Sequence, residues 1–321
     1  MTETRHTSRR PGWWWMALYV GAVIAAAWLF SELRFARNRD FPLATPSALA
    51  LGTAYRPFQY RVLVPWLAAV TQRATGLELR SMYQVLEGSF SALLVFSFFW
   101  WLRAYFSRRA SVLLSFVILP VISFNLLFPR GLFAIWLPYD VPSAMFFALL
   151  SALLVRERWR WIWLVFPLAV LNRETVVFLV GAYAVVAFDR RKLRGWMVQT
   201  GTLMLVWIAA KIILRVLYGN NPGADLEWAH VGADRTHLAT NLAVLTSAQG
   251  MFHVAQSFGF LWLLPLACFA KLKDRYLRAA LLMFLPYFAT VLLFGNVHEL
   301  RVYAEWAPII LTSAALILFR R

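Results

Sequence analysis

The sequence has one cysteine in 321 residues, Cys268, which excludes an intrachain disulfide. That cysteine and the five histidines form no cluster at ligand spacing, so a structural zinc site is not expected, and nothing in the chain requires a metal or another cofactor. Charge is scarce: 15% of residues are Asp, Glu, Lys or Arg, where a soluble domain carries about a quarter. Acids are the scarcer kind, 15 against 32 Lys+Arg, for a formal net charge of +17. There is no internal repeat or low-complexity tract, and no loop is long enough to hold a soluble domain.

What is abundant is apolar and aromatic surface, 61% and 17% of residues. A basic protein often binds nucleic acid, but here Lys and Arg lie between long runs rich in Trp and Phe, so the lipid bilayer is the expected partner and nucleic acid is not. A bilayer core of about 30 Å takes about 20 apolar residues per helix. Segments near 13–32, 83–105, 110–128, 139–156, 196–218, 252–270, 277–295 and 303–320 meet that length. They predict an all-α, polytopic membrane bundle of about eight full spans, a single domain over residues 1–321. The first apolar stretch, Trp13 to Phe30, exceeds a signal-peptide core and is expected to remain as an anchor, with Trp13-Trp14-Trp15 at the interface.

Residues 160–188 read differently. Two apolar stretches, each too short to cross, flank Asn172-Arg173-Glu174-Thr175. One continuous helix would bury Arg173 and Glu174 at mid-membrane and separate the basic runs 156–160 and 190–194; a broken re-entrant hairpin keeps both runs on one side. With cytoplasmic termini, the inner loops then collect 19 basic residues against four acids, and the outer side holds 11 of each. The positive-inside rule therefore places the chain as a multi-pass membrane protein with N- and C-termini cytoplasmic, and the resemblance given below implies a bacterial inner (plasma) membrane.

On the outer side, residues 31–82 form a long first loop with two apolar segments, 46–51 and 61–70, that suit interfacial helices. Pro57 suits a first helical turn, with Arg61 on the same face. Arg56 and Arg61 are candidates for anion binding, with snorkelling to headgroups as the alternative. Glu87 lies a turn inside its span, where a carboxylate is costly unless it is functional or paired with an arginine such as Arg61. Asp140, before Val141-Pro142, reads as an N-cap. Asn172 and Thr175 can cap the second hairpin helix, which leaves Arg173 and Glu174 at the hairpin tip unexplained by structure. His298, Arg301 and Glu305 share one face if the segment is α-helical, with Glu299 beside them. Arg56, Arg61, Arg130, Arg173 and Arg301 thus fall on one side with Asp40, Glu87, Glu174 and Glu299. Forked guanidinium groups and carboxylates together suit an anionic lipid headgroup and a hydroxyl to be deprotonated.

The layout resembles the GT-C superfamily of polyprenyl-phosphate-dependent glycosyltransferases. The resemblance lies in the anchor span, the long outer loop with two interfacial helices, the broken spans, and the segments Tyr55-Arg56-Pro57-Phe58-Gln59-Tyr60-Arg61, Asn172-Arg173-Glu174 and Glu299-Leu300-Arg301. It implies a polyprenyl-phosphate-linked sugar as donor, a lipid or glycan as acceptor, and a catalytic carboxylate soon after the first span. Asp40 matches that position, although no second acid adjoins it, and Glu174 or Glu87 are the other candidates. Arg56, Gln59, Arg61, Asn172, Arg173, His298, Glu299 and Arg301 are the implied substrate- and phosphate-binding set. A polymerase or ligase using diphosphate-linked glycans, or a lipid-linked substrate transporter or flippase, are the alternative readings. The sidedness is directly testable with Cys268→Ser as background. A cysteine introduced at Gly76 should react with a membrane-impermeant maleimide from outside intact cells, and one at Arg158 should not; the reverse pattern would invert the topology.

Overall fold

The computed structural model describes residues 13–127, 134–189, 192–229 and 235–319. Among these the chain is helical apart from two short strands, β1 (Arg39–Asp40) and β2 (Ile135–Trp136), which pair in parallel. Six segments are long and apolar enough to cross a membrane. They are α1 (Trp13–Arg37), α4 (Leu79–Leu102), α5 (Arg108–Leu126), α9 (Leu193–Tyr218), α13 (Arg275–Phe294) and Leu300–Phe319, a 3-10 turn that runs into α14 (Ala307–Phe319). Their outward faces are apolar: Leu18, Ile24 and Leu29 of α1 and Leu205, Ile212 and Val216 of α9 are exposed, as a multi-pass membrane protein requires.

Two of the eight expected spans take another form. The segment expected over 139–156 is α6 (Asp140–Val155), 16 residues and about 24 Å long, buried along nearly its whole length. The segment expected over 252–270 is not one helix. From residue 237 the chain forms α10 (His237–Thr246), α11 (Ala248–Ala255), a 3-10 turn Ser257–Phe260 and α12 (Leu263–Ala267). Phe258, Gly259 and Phe260 have φ of 56°, 60° and 66°, a left-handed region that costs a side-chain-bearing residue about 1–2 kcal/mol. Asn125 of α5 holds the break, because its Oδ1 accepts from the Phe258 amide at 2.8 Å while its Nδ2 donates to the Leu300 carbonyl at 2.8 Å.

Both helices expected in the first loop are present, as α2 (Pro46–Leu51) and α3 (Leu63–Thr75). Thr45 caps α2, Pro46 occupies its first turn, and Gly52 ends it at φ 78°. Pro57 does not open α3; it precedes a separate 3-10 turn, Phe58–Tyr60. The hairpin consists of α7 (Trp159–Asn172) and α8 (Val177–Ala187), joined through extended Arg173 and a 3-10 turn, Glu174–Val176. The Trp159 and Tyr183 rings lie 5.3 Å apart. In a continuous helix 24 residues would separate them by about 36 Å, so the chain reverses at the break.

The ends of the bundle differ in kind. At the end where α4 and α6 finish, Arg156 donates to the Trp100 carbonyl at 2.8 Å and lies over the Trp100 ring. Asp274 caps α13 nearby, and Tyr276 donates to Ser151 at 3.0 Å. Toward the other end, where α6 starts, the bundle is pinned by charge. Arg34, on the buried stripe Val23, Ala27, Phe30 of α1, pairs with Glu87 of α4 and reaches Asp140 Oδ2 of α6 at 3.2 Å, with all three side chains at 0–1% exposure. The expected Glu87 partner, Arg61, is not the one used, because α1 continues to Arg37 and carries Arg34 inward. Removing one member of a buried pair strands the other charge. Arg34→Met should therefore destabilise the fold by about 3–5 kcal/mol in mixed-micelle unfolding, and Arg34→Met/Glu87→Met should recover a large part of that loss.

Candidate functional site

Asp140 is the centre of the arrangement. Tyr139, not Asp140, is the N-cap residue of α6, so the expected cap is replaced by a carboxylate on the first residue of the helix, where the macrodipole favours negative charge. Besides Arg34, its Oδ1 lies 3.6 Å from Arg173 Nη1 and 3.6 Å from Arg301 Nη1. Arg173 also faces Glu305 Oε2 at 3.6 Å, and Arg301 donates to Glu299 Oε2 at 2.6 Å. Arg61 donates to the Tyr139 hydroxyl at 2.9 Å, stacks over that ring at 4.6 Å, and meets Glu174 Oε1 at 3.4 Å. Four arginines and five carboxylates from the first loop, α1, α4, α6, the hairpin tip and the last 3-10 turn therefore form one network.

The network has a sealed part and an open part. Arg34, Glu87 and Asp140 are shut in, while the side chains of Glu174 and Glu299 are 27% and 23% exposed. Between them lie Arg61, Arg173 and Arg301, at most 10% exposed. Arg61 Nε, and Nε and Nη1 of both Arg173 and Arg301, are buried without a hydrogen-bond acceptor among the described residues. Of these, Arg173 Nε and Nη1 and Arg301 Nη1 still face carboxylates at 3.6 Å, while Arg61 Nε and Arg301 Nε have no ion-pair partner among the described residues and are the donors most open to an anion.

Several expected residues have structural partners instead. Asn172 donates to the Tyr139 carbonyl at 3.2 Å and to Ser143 Oγ at 2.9 Å, and Thr175 donates to Glu305 Oε2 at 2.8 Å, so neither side chain caps the following helix. Gln59 accepts from the Ala54 amide at 2.9 Å and shapes the first loop. Asp40 lies 40% exposed with Arg80 as its ion-pair partner at 3.8 Å, and it pairs with no arginine of the network among the described residues. The His298 carbonyl accepts a 3.0 Å hydrogen bond from His253 Nε2, if that nitrogen carries the proton. His298 precedes the 3-10 turn, so the expected α-helical face with Arg301 and Glu305 does not form, although both of those residues join the network. Arg130 lies outside the described residues.

Arg56 serves a second construction. Its Nη1 pairs with Asp225 at 3.3 Å, its Nη2 donates to the Gly223 carbonyl, and its amide donates to the Pro222 carbonyl at 2.8 Å. Asp225 also takes Arg215 Nε of α9 at 2.9 Å and the Tyr60 hydroxyl. That hydroxyl, followed by the two arginines, holds the Asp225 carboxyl below its ordinary range. Asn221 donates to the Gly52 and Ala54 carbonyls, both at 2.9 Å. The loop after α9 is thereby strapped onto residues 52–60, next to Arg61.

Arg34 and Asp225 are not among the residues expected from the sequence, and Asp140 was expected only as a cap. The alternation Val23, Ala27, Phe30, Arg34 was the available signal for Arg34, since continuing the helical period past the apolar run puts it on the buried face. Comparisons with protein-family profiles, curated proteins and solved structures give no match, so the assignment of function rests on these residues. The strap makes its own prediction. Asp225→Ala should weaken it by about 1 kcal/mol and speed hydrogen exchange at the Arg56 amide roughly fivefold, with the helical core unchanged.

Proposed function

We propose that the chain is a membrane glycosyltransferase that moves a sugar from a polyprenyl phosphate to a lipid or glycan acceptor on the outer face. The observation that carries this reading is the convergence of Arg61, Arg173 and Arg301, from three separate segments, each with a buried Nε that makes no hydrogen bond among the described residues. A phosphate monoester or diester offers those groups several oxygens in forked geometry. When the sugar leaves it, the phosphate gains negative charge, and fixed guanidinium groups in a dry setting stabilise that charge as it develops. No protonating acid is needed for such a leaving group, and one carboxylate suffices to take the acceptor's proton.

An apolar groove of about 750 Å³ supports a lipid-linked donor. It runs between the broken segment after α10 and α13, lined by Phe258, Trp262, Phe284 and Phe288, and reaches Tyr303, two residues beyond Arg301 on the same 3-10 turn. Its lining holds no arginine of the network, so what it supplies to this reading is apolar room for a prenyl chain beside that turn. A transporter or flippase of the same lipid is the second reading, favoured by the broken path over residues 237–271; a polymerase or ligase would draw on the same arginines.

In lipid nanodiscs the full chain should bind a polyprenyl phosphate in strong preference to the neutral polyprenol. Arg61→Gln, Arg173→Gln and Arg301→Gln should each weaken that binding about 10- to 100-fold, the loss of a charge-assisted hydrogen bond or two. Equal affinity for phosphate and alcohol, or arginine variants that bind normally, would refute the reading. Lipid-linked sugar accumulating in a deletion strain separates transfer from polymerisation, which would leave unpolymerised repeat units instead.

A further inference from the structure

Two carboxylates of the network lie near its open side, Glu174 and Glu299, and a third acid, Glu227, lies on the loop that is strapped beside Arg61. Glu174 is engaged by Arg61 at 3.4 Å. Glu299 is engaged twice, by Arg301 at 2.6 Å and by Asn296 Nδ2 at 2.6 Å. A guanidinium beside a carboxylate favours its ionised form, which makes it a weaker proton acceptor. Glu227 Oε1, by contrast, is buried with no hydrogen-bond partner among the described residues.

Its position is fixed from both sides. Two residues earlier, Asp225 is tied to Tyr60 and Arg56, so the chain enters beside Arg61. One residue later, the Trp228 ring packs at 4.6 Å on Phe294 at the end of α13, and the Trp228 carbonyl accepts from the His237 amide at 2.8 Å. Two residues beyond Phe294 is Asn296, the residue that holds Glu299. Glu227 thus bridges the segment carrying Arg61 and the segment carrying Glu299.

We infer that Glu227 is the proton acceptor of the site, a catalytic residue on the strapped loop facing the acceptor hydroxyl. The inference rests on the transferase reading above. In the step it serves, the acceptor O–H bond breaks and its proton passes to Glu227 Oε1. The hydroxyl oxygen bonds to the anomeric carbon as the bond from that carbon to the phosphate oxygen breaks. The electron pair stays on the phosphate among Arg61, Arg173 and Arg301, and Glu227 returns its proton to water. The charged groups facing Glu227 are Glu299, from the last 3-10 turn, and Arg61, from the first loop; on its own loop, Asp225 is already neutralised by Arg56 and Arg215 of α9. Burial first, and the Glu299 charge second, push the Glu227 carboxyl up to about 7, with Arg61 opposing. A carboxylate so tuned is a base above neutrality and an acid below it, so transfer should rise as pH passes upward through about 7.

The test uses the full chain in two assays. In nanodiscs, Glu227→Gln should bind polyprenyl phosphate within about twofold of wild type. In complemented deletion cells, the same variant at equal membrane level should lower the glycosylated product about 100-fold or more, with Glu227→Asp recovering part of it. In infrared titration of the detergent-solubilised chain, a protonated-carboxyl band that disappears near pH 7 should be missing from Glu227→Gln. Product at wild-type level in Glu227→Gln, or a titrating band unchanged by the substitution, would overturn the assignment alone. Failure of the wild-type chain to bind polyprenyl phosphate would overturn the site reading and this assignment with it.

Discussion

A carboxylate that receives three guanidinium groups in an apolar interior sets the terms for everything around it. Asp140 sits at the positive end of α6 and faces Arg34, Arg173 and Arg301 from three other parts of the chain. A single acid cannot balance three cations in low dielectric, and the further charge is supplied by Glu87 of α4 and by Glu299 and Glu305 at the last 3-10 turn. The broken hairpin serves the same need: the extended residue Arg173, between α7 and the 3-10 turn, lets Arg173 face Asp140 and Glu174 face Arg61 together. The extended backbone at that tip is stabilised by Asn172, which bonds the start of α6, and by Trp207 of α9, whose ring nitrogen donates to the Glu174 carbonyl at 2.9 Å.

The network also divides the labour among its arginines. Arg34 is wholly enclosed and joins α1, α4 and α6, a role that stability alone accounts for. Arg61, Arg173 and Arg301 lie one layer out, with donors that their carboxylates do not fully use. Arg56, which the sequence groups with them, belongs to the strap that holds the loop after α9 against the first loop. Depth separates the three sets: Arg34 is wholly enclosed, Arg56 is 18% exposed, and Arg61, Arg173 and Arg301 lie between at 5–10%.

Much of the architecture is legible in sequence because bilayer physics makes it so. Apolar runs of the right length, the short halves flanking Asn172-Arg173-Glu174-Thr175, and the apolar segments of the first loop all emerge as helices where expected. The departures share a cause. Arg34 was assigned to a loop because hydropathy ends at the last apolar residue, whereas the helix continues until its hydrogen bonding stops at Arg37. The segment over 252–270 reads as one span on composition, but the tertiary contact from Asn125 and the left-handed turn at Phe258–Phe260 divide it. Asp140 reads as a cap because local sequence cannot show the arginines that arrive from 106 positions before it in the chain and 161 after it. Gln59 and Asn172 belong to the substrate-binding set that the resemblance implies, yet the partners they have here are backbone carbonyls, amides and a serine. The strap around Asp225 and the place of Glu227 depend on pairings across more than 160 residues, for which no local pattern exists.

The claim that most depends on this geometry is that Arg61, Arg173 and Arg301 form a phosphate site at the α6 N-terminal end of the bundle. An experimental structure of the full chain in a lipid nanodisc with bound polyprenyl phosphate tests it most directly. The account predicts the phosphate within hydrogen-bonding distance of at least two of those three arginines, with the prenyl chain leading into the groove bounded by Phe258, Phe284 and Tyr303. A phosphate held instead at the opposite, basic end near Arg103, Arg156 and Arg278, with the three arginines still bound only to their carboxylates, would contradict it.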